Sequence, residues 1–158
     1  MVVMVRLSWE DLTYAAHVGV RRRVESLEGK FEPRNGAPKF SPTLWSQDID
    51  GAAAELAVAL YLDQPWTGER SRAHCDVGQD IQVRHTWYLA GCLIVREDDR
   101  PGRYVLVVGH DGSYDLMGWR DCFAAKQPEW EQQDGNKYWM VPSDRLRRME
   151  ELRDLVAA

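Results

Sequence analysis

The chain has 158 residues, 44% of them hydrophobic, and seven are tryptophan, so it can form a substantial core and a disordered protein is excluded. Its net charge of −5 argues against a broad, non-specific nucleic-acid surface but leaves room for a local groove. Since no apolar run approaches the roughly 20 residues that span a bilayer, and the first apolar residues are too few for a signal peptide, we expect a cytoplasmic protein without a membrane partner.

The N-terminal third predicts a helix and then a loop. Ser8 is the expected N-cap, and Asp11 completes a capping box. Arginines 21–23 lie on or near the outer sides of this helix. A phosphate contact and a solvated face are both open for them, and neighbouring acidic residues favour the solvated face. Residues 33–42 contain three prolines and an Asn-Gly pair, which predicts a loop.

Residues 51–62, GAAAELAVALYL, predict the central helix of the protein. Asp48 or Asp50 is the expected N-cap. Glu55 is the single charge in this apolar segment, so its carboxylate needs a donor, a cation or a metal. An arginine-paired or rim-exposed glutamate and a functional glutamate are both open.

The second half of the chain has strand patterns and two further helices. The predicted strands are residues 74–86 in two pieces, 89–96, 103–109, 113–119 and 138–141. We expect a short helix at 120–126 and a C-terminal helix that begins at Ser143. This order predicts an α/β or α+β domain with a central mixed sheet of about four to five strands flanked by helices.

The stretch 76–86, DVGQDIQVRHT, carries the side chains of chemical interest. Residues two apart on a strand project to the same face. One face is therefore expected to carry Asp80, Gln82 and Arg84, and the other Ile81, Val83 and His85. Asp76 precedes a glycine turn and can fold back towards the strand. We expect Glu55 to approach the rim that carries the amide and the guanidinium.

These residues resemble the PD-(D/E)XK nuclease superfamily, in a compact form found in small phage proteins. The matched parts are Glu55 on a helix, Asp76 at a strand end and the strand Ile81-Gln82-Val83-Arg84; residues 92–96 and 118–119 are also similar. The resemblance covers roughly residues 48–126. It implies a restriction-endonuclease-like core, Mg²⁺ or Mn²⁺ as cofactor, and phosphodiester hydrolysis of nucleic acid, in the host cytoplasm if the protein is phage-encoded.

The chain length predicts a single domain, 1–158. The resemblance places its core at 48–126, between an N-terminal helix and loop, 1–47, and a C-terminal loop and helix, 127–158, and it also implies the residue roles. The implied catalytic residues are Asp76, Gln82 and Arg84, and the implied metal ligands are Glu55 and Asp76. Asp80 and His85 are auxiliary candidates, and Arg70, Arg72 and Arg84 are candidates for contacting nucleic acid. Carboxylate oxygens suit Mg²⁺, which acidifies water and stabilises a phosphate transition state.

The sequence departs from the family pattern at two positions. Gln82 offers a carbonyl oxygen but no charge, and Arg84 stays protonated, so it cannot act as a general base. The alternative is therefore a catalytically degenerate protein that binds nucleic acid, a nucleotide or a host protein. A zinc site is disfavoured because His74, Cys75, His85 and Cys92 lack structural-zinc spacing. With Cys122, the cysteines are expected to be reduced thiols.

Overall fold

The structure, a computed structural model, describes residues 2–30, 41–70 and 74–158. Within these residues the chain forms four α-helices and two β-sheets, so the predicted mixed α+β class is confirmed. The helices are α1 (Trp9–Leu27), α2 (Thr43–Leu62), α3 (Cys122–Ala125) and α4 (Met149–Ala157). The strands are β1 (Val3–Arg6), β2 (Ile81–Thr86), β3 (Leu93–Arg96), β4 (Arg103–His110), β5 (Ser113–Asp121), β6 (Glu131–Asp134) and β7 (Asn136–Val141).

The first sheet is mixed and has the strand order β1-β5-β4-β2. β2 runs parallel to β4, whereas β4 with β5 and β5 with β1 are antiparallel. Residues 87–102 connect β2 to β4 and leave this sheet, contributing β3 to a second, antiparallel sheet of order β3-β7-β6. β2 is consequently an edge strand of the first sheet.

Helices α1 and α2 lie in direct contact because small residues face each other at their crossing. A Cβ atom at Gly19 of α1 would overlap the backbone of Ile49 on α2. Ala15 of α1 and the alanines of α2 are also buried. This close approach brings Arg22, one turn beyond Gly19, within reach of α2.

The two faces of β2 meet different parts of the protein. Ile81 and Val83 pack into the cluster that contains α2, together with Val105 and Val107 of β4. Gln82 and Arg84 lie in register with Tyr104 and Leu106, which belong to a second cluster between the two sheets. The apolar helix thus covers the apolar face of β2, and the polar residues face away from it.

The predicted N-cap of the central helix is wrong, because α2 begins at Thr43 and contains both Asp48 and Asp50. The buried Asp50 carboxylate instead joins the helix to the sheet. It accepts hydrogen bonds from the Tyr114 hydroxyl at 2.7 Å, the Asp111 backbone N–H at 3.1 Å and the Trp87 indole at 2.9 Å. This carboxylate fixes the first half of α2 against the β4–β5 turn and the residues that follow β2.

The N-cap of α1, the cysteines and the helix lengths complete the description of the fold. Ser8 caps α1 by accepting a hydrogen bond from the Asp11 N–H at 3.0 Å, as predicted. All three cysteines are free thiols. No helix in the described ranges has both the length and the hydropathy that crossing a bilayer requires.

Candidate functional site

Glu55 is held by a buried arginine and an indole. The carboxylate, 8% exposed, accepts bonds from Arg22 Nη1 to Oε1 at 2.9 Å and from Nη2 to Oε2 at 2.8 Å. Oε2 also accepts from Trp66 Nε1 at 2.9 Å, and Arg22 Nη2 donates to the Gly68 carbonyl at 3.0 Å. Of the interpretations that the sequence left open, the arginine-paired glutamate is confirmed.

The solvated-face interpretation of the three arginines is wrong for two of them. Arg22 and Arg23 are buried, and Arg21 alone is exposed. Arg23 Nε lies 3.5 Å from Asp48 Oδ2. Burial raises the pKa of Asp48, and the Arg23 guanidinium opposes that shift. The carboxylates that hold these arginines come from α2 and could not be recognised from the local charge pattern of α1.

Asp76 lies at the edge of β2, close to Glu55. Its Oδ2 accepts a hydrogen bond from the Val83 backbone N–H at 2.8 Å. Burial raises the pKa of the Asp76 carboxyl to about 7, and the Glu55 charge acts in the same direction. The hydrogen bond from Val83 and the charges of Arg84 and Arg22 lower this pKa and so oppose both effects. The structure therefore brings together the helix glutamate and the strand-end aspartate that the sequence singled out.

Gln82 and Arg84 do not join them. Arg84 Nη2 donates to Asp99 Oδ2 at 2.8 Å, Nε donates to the Ile94 carbonyl at 3.2 Å, and the guanidinium lies over the Tyr104 ring. All three partners are on the side of the second sheet. The expectation that Glu55 approaches the face with Gln82 and Arg84 is therefore wrong, because α2 covers the apolar face of β2.

The other predicted residues are dispersed. Asp80, the residue before β2, pairs through its Oδ2 with Arg103 Nε at 3.4 Å. Arg70 Nη1 donates to Ser26 Oγ at 2.8 Å. Burial lowers the pKa of Arg70, and the charges of Arg22 and Arg23 act in the same direction. Arg72 lies outside the described residues. Asp80 and Arg70 therefore have partners of their own.

A cleft of about 420 Å³ opens between the first half of α2 and β2. It is lined by Gln47, Asp48, Gly51, Glu55, Val83, His85, Thr86, Trp87 and Tyr88. Among these described lining residues, two are acidic and none is lysine or arginine. The cleft therefore presents acceptors and aromatic rings rather than positive charge.

His85 contributes a neutral acceptor to this cleft. Its Nε2 lies 2.7 Å from the Gly109 carbonyl oxygen, which can only accept, so Nε2 carries the proton. Burial lowers the pKa of His85, which favours the neutral ring near pH 7. Its Nδ1 therefore has a lone pair for a ligand. The sequence correctly placed His85 on the face opposite Arg84, and that face is the one shared with Glu55.

Sequence reasoning missed most of this cleft, although one signal was available. Asp48 and Glu55 are seven residues apart, which is about two helical turns, so both lie on the same side of α2. Gly51 lies between them, and a Cβ atom there would contact nothing within 4 Å. Two carboxylates that are two turns apart on one side of a helix, with a glycine between them, indicate an open cleft. The aromatic residues 87–88 carried no comparable signal.

The residues at the Glu55–Asp76 pair do not fit the divalent cation that the resemblance implies. Both Glu55 oxygens already accept bonds from Arg22, whose positive charge occupies the position a metal would take. Asp76 binds Val83 through one oxygen and has a raised pKa. Over the described ranges, no three His, Cys, Asp or Glu residues are grouped so as to hold a metal ion.

The chain was compared with protein-family models, curated proteins and solved structures, and none of the three comparisons gave a match. Membership of the PD-(D/E)XK superfamily stays a prediction that depends on the residues quoted above.

Proposed function

We propose that this protein is a non-catalytic binding protein whose cleft between α2 and β2 receives a positively charged group of a partner protein. The observation that carries the proposal is the lining of the cleft. Asp48 and His85 offer acceptors, and the described lining contains no lysine or arginine. Asp48 and Glu55 are each paired with a buried arginine, but the groups they expose to the cleft are acceptors. A phosphate group would bring further acceptors, whereas a cationic group brings the N–H donors that these acceptors require.

The residues that match the PD-(D/E)XK pattern are arranged in a way that supports binding without hydrolysis. Glu55 is engaged by Arg22 and Trp66, and Arg84 is engaged by Asp99 on the opposite side of β2. Gln82 has no charge. A PD-(D/E)XK-like site needs these positions to converge on one phosphate, and here they are divided between two faces of an edge strand. Such a protein corresponds to a catalytically degenerate member that has lost the convergence needed for hydrolysis.

Two substitutions at Gly51 test this proposal. Because a Cβ atom there meets nothing within 4 Å, Gly51→Phe places a ring in the cleft without a clash at its first carbon, and Gly51→Ala is the matched control that leaves the cleft open. Fluorescence anisotropy would follow a labelled peptide of alternating arginine and serine, and labelled single- and double-stranded DNA and RNA. We expect the peptide to bind the wild type and Gly51→Ala, and to lose binding in Gly51→Phe.

Two results would overturn the proposal. Equal binding of the peptide to wild type and Gly51→Phe would place the peptide outside the cleft. Tighter binding of a nucleic acid than of the peptide, with loss in Gly51→Phe, would assign the cleft to the other class of macromolecule. Circular dichroism of each variant confirms that the fold is retained.

Metal-dependent phosphodiester hydrolysis is the second candidate, favoured by the proximity of Asp76 and Glu55. It requires Arg22 to release Glu55, because the present arrangement does not fit a cation. The test is cleavage of labelled DNA and RNA with Mn²⁺ by wild type and Asp76→Asn. Cleavage that disappears in Asp76→Asn would establish this function, and absence of metal-dependent cleavage in the wild type refutes it.

A further inference from the structure

We infer that the group received by the cleft is an arginine side chain, carried by an extended partner segment that pairs with the outer edge of β2. This inference rests on the proposed function and names the chemistry of the partner. It depends on three features: the acceptors in the cleft, the aromatic residues at its rim, and the strand edge beside it.

The two acceptors are oriented by the protein. The Asp48 side chain is 23% exposed, but its Oδ2 is buried beside Arg23 and has no hydrogen-bond partner among the described residues. Oδ1 is consequently the oxygen that a ligand reaches. His85 is oriented by Gly109, which leaves Nδ1 as an acceptor. A guanidinium has five N–H donors in one plane, so it can serve a carboxylate and an imidazole together.

The aromatic rim favours arginine over lysine. Tyr88 is 76% exposed, and Trp87 is held by the bond from its indole to Asp50 at 2.9 Å. Both residues line the cleft. A planar guanidinium can stack on an aromatic ring while it donates in its own plane, whereas a strongly hydrated ammonium group cannot do both.

The edge of β2 provides a place for the backbone of the partner. The Ile81 N–H and C=O bond to Val77, and the Val83 N–H bonds to the Asp76 carboxylate, so these groups point away from β4. Strand alternation places the N–H and C=O of His85 on the same outer edge. Val77 forms an antiparallel bridge with Ile81 at the start of this edge, and in the described part of the chain no strand pairs with the edge beyond it, at His85. An extended segment can add there, next to the cleft that His85 lines.

Matched peptides test the inference. The probe is an acetylated and amidated peptide of alternating threonine and valine with one central arginine; its partners carry lysine or the neutral isostere citrulline at that position. A fourth peptide has the arginine and N-methylated backbone amides, which removes strand pairing. Calorimetry would measure each affinity for the wild type, Asp48→Asn and Asp98→Asn. Asp98 is an exposed acid in the turn before β4 and does not line the cleft, so its variant removes the same charge outside the proposed site.

We expect the arginine peptide to bind the wild type and Asp98→Asn equally, and to bind Asp48→Asn about tenfold more weakly, a difference of about 1.4 kcal/mol. The lysine and N-methylated peptides should bind at least about tenfold more weakly, and the citrulline peptide should not bind. Backbone amide resonances of His85 and Thr86 should shift with the arginine peptide.

The failures are distinguishable. Equal binding of the lysine peptide refutes the choice of arginine but leaves the proposed function intact. Equal binding of the N-methylated peptide refutes pairing with β2. If none of these short peptides binds while the alternating arginine–serine peptide still binds in a Gly51-dependent way, the extended arrangement is refuted and the proposed function stands. If that peptide also fails, both are refuted.

Discussion

Replacing Arg22 by methionine should destabilise the protein far more than a change on its surface. Arg22 makes three hydrogen bonds in the interior, two to Glu55 and one to the Gly68 carbonyl. Without it, the Trp66 indole is the one hydrogen-bond donor that the described residues still offer to the buried Glu55 carboxylate. Removing one member of a buried ion pair typically costs about 3–5 kcal/mol, and we expect Arg22→Met to fall in that range.

The double variant separates charge pairing from packing. Glu55→Leu alone leaves the Arg22 guanidinium buried without a counter-charge, so we expect it to cost about 3–5 kcal/mol as well. In Arg22→Met with Glu55→Leu no charge is left unpaired, and the residual cost is that of the Trp66 N–H and the Gly68 carbonyl losing their partners. The double variant should therefore be no less stable than either single variant, which gives a coupling energy of about 3 kcal/mol or more.

Urea unfolding followed by far-ultraviolet circular dichroism measures the four free energies of this cycle. The exposed pair of Arg147 and Glu151, with Nη2 and Oε2 at 2.7 Å, is the control cycle with the same two substitutions, and its coupling should be much smaller. Additive single effects at Arg22 and Glu55, with coupling below about 0.5 kcal/mol, would refute the buried pair as the reason for the position of Glu55.

Three further outcomes are expected. Since burial raises the pKa of folded Asp76 from 3.8 to about 7, the folded state binds more protons than the unfolded state between these values. The stability contribution of this carboxyl therefore falls as the pH rises through that window. Across the same window, the urea midpoint of Asp76→Asn should fall less with rising pH than the urea midpoint of the wild type. Introducing the acidic residue and the lysine of the PD-(D/E)XK pattern, as Gln82→Glu with Arg84→Lys, should produce no metal-dependent cleavage, because both side chains face away from Glu55. Cleavage of labelled DNA by this double variant would contradict the prediction. Gly51→Ala should raise the free energy of unfolding by about 0.5–1 kcal/mol, since an open helical position gains from a methyl group.

The sequence predicted the elements that depend on local periodicity. The apolar runs of α2 and β4 and the alternation in β2 and β5 follow from residues that are close together in the chain, and they were sufficient for the mixed α+β class. The short strand β1 was missed because its pairing partner, β5, is distant in the chain, and β6 was missed because its own residues are polar and exposed. The division into two sheets was missed because β3 and β7 have the same local pattern as strands of the first sheet.

The candidate site was predicted only in part, because its residues come from segments that are far apart in the chain. Glu55 was identified as a carboxylate that needs a partner, and Asp76 was placed near it. The identity of the partner, Arg22, depended on the crossing of α1 and α2 at Gly19, which local charge patterns do not show. The face to which Gln82 projects follows from the rule that an apolar helix covers the apolar face of a strand.

Arg22 binds both carboxylate oxygens of Glu55, where a metal ion would otherwise have to bind. Calorimetric titration of wild type and Asp76→Asn with Mn²⁺, at a pH above the value of about 7 to which burial raises the Asp76 pKa, tests this pairing. We predict the same small heats of dilution for both proteins. Stoichiometric binding of Mn²⁺ to the wild type that disappears in Asp76→Asn would contradict the account and would assign the Glu55–Asp76 pair to a metal.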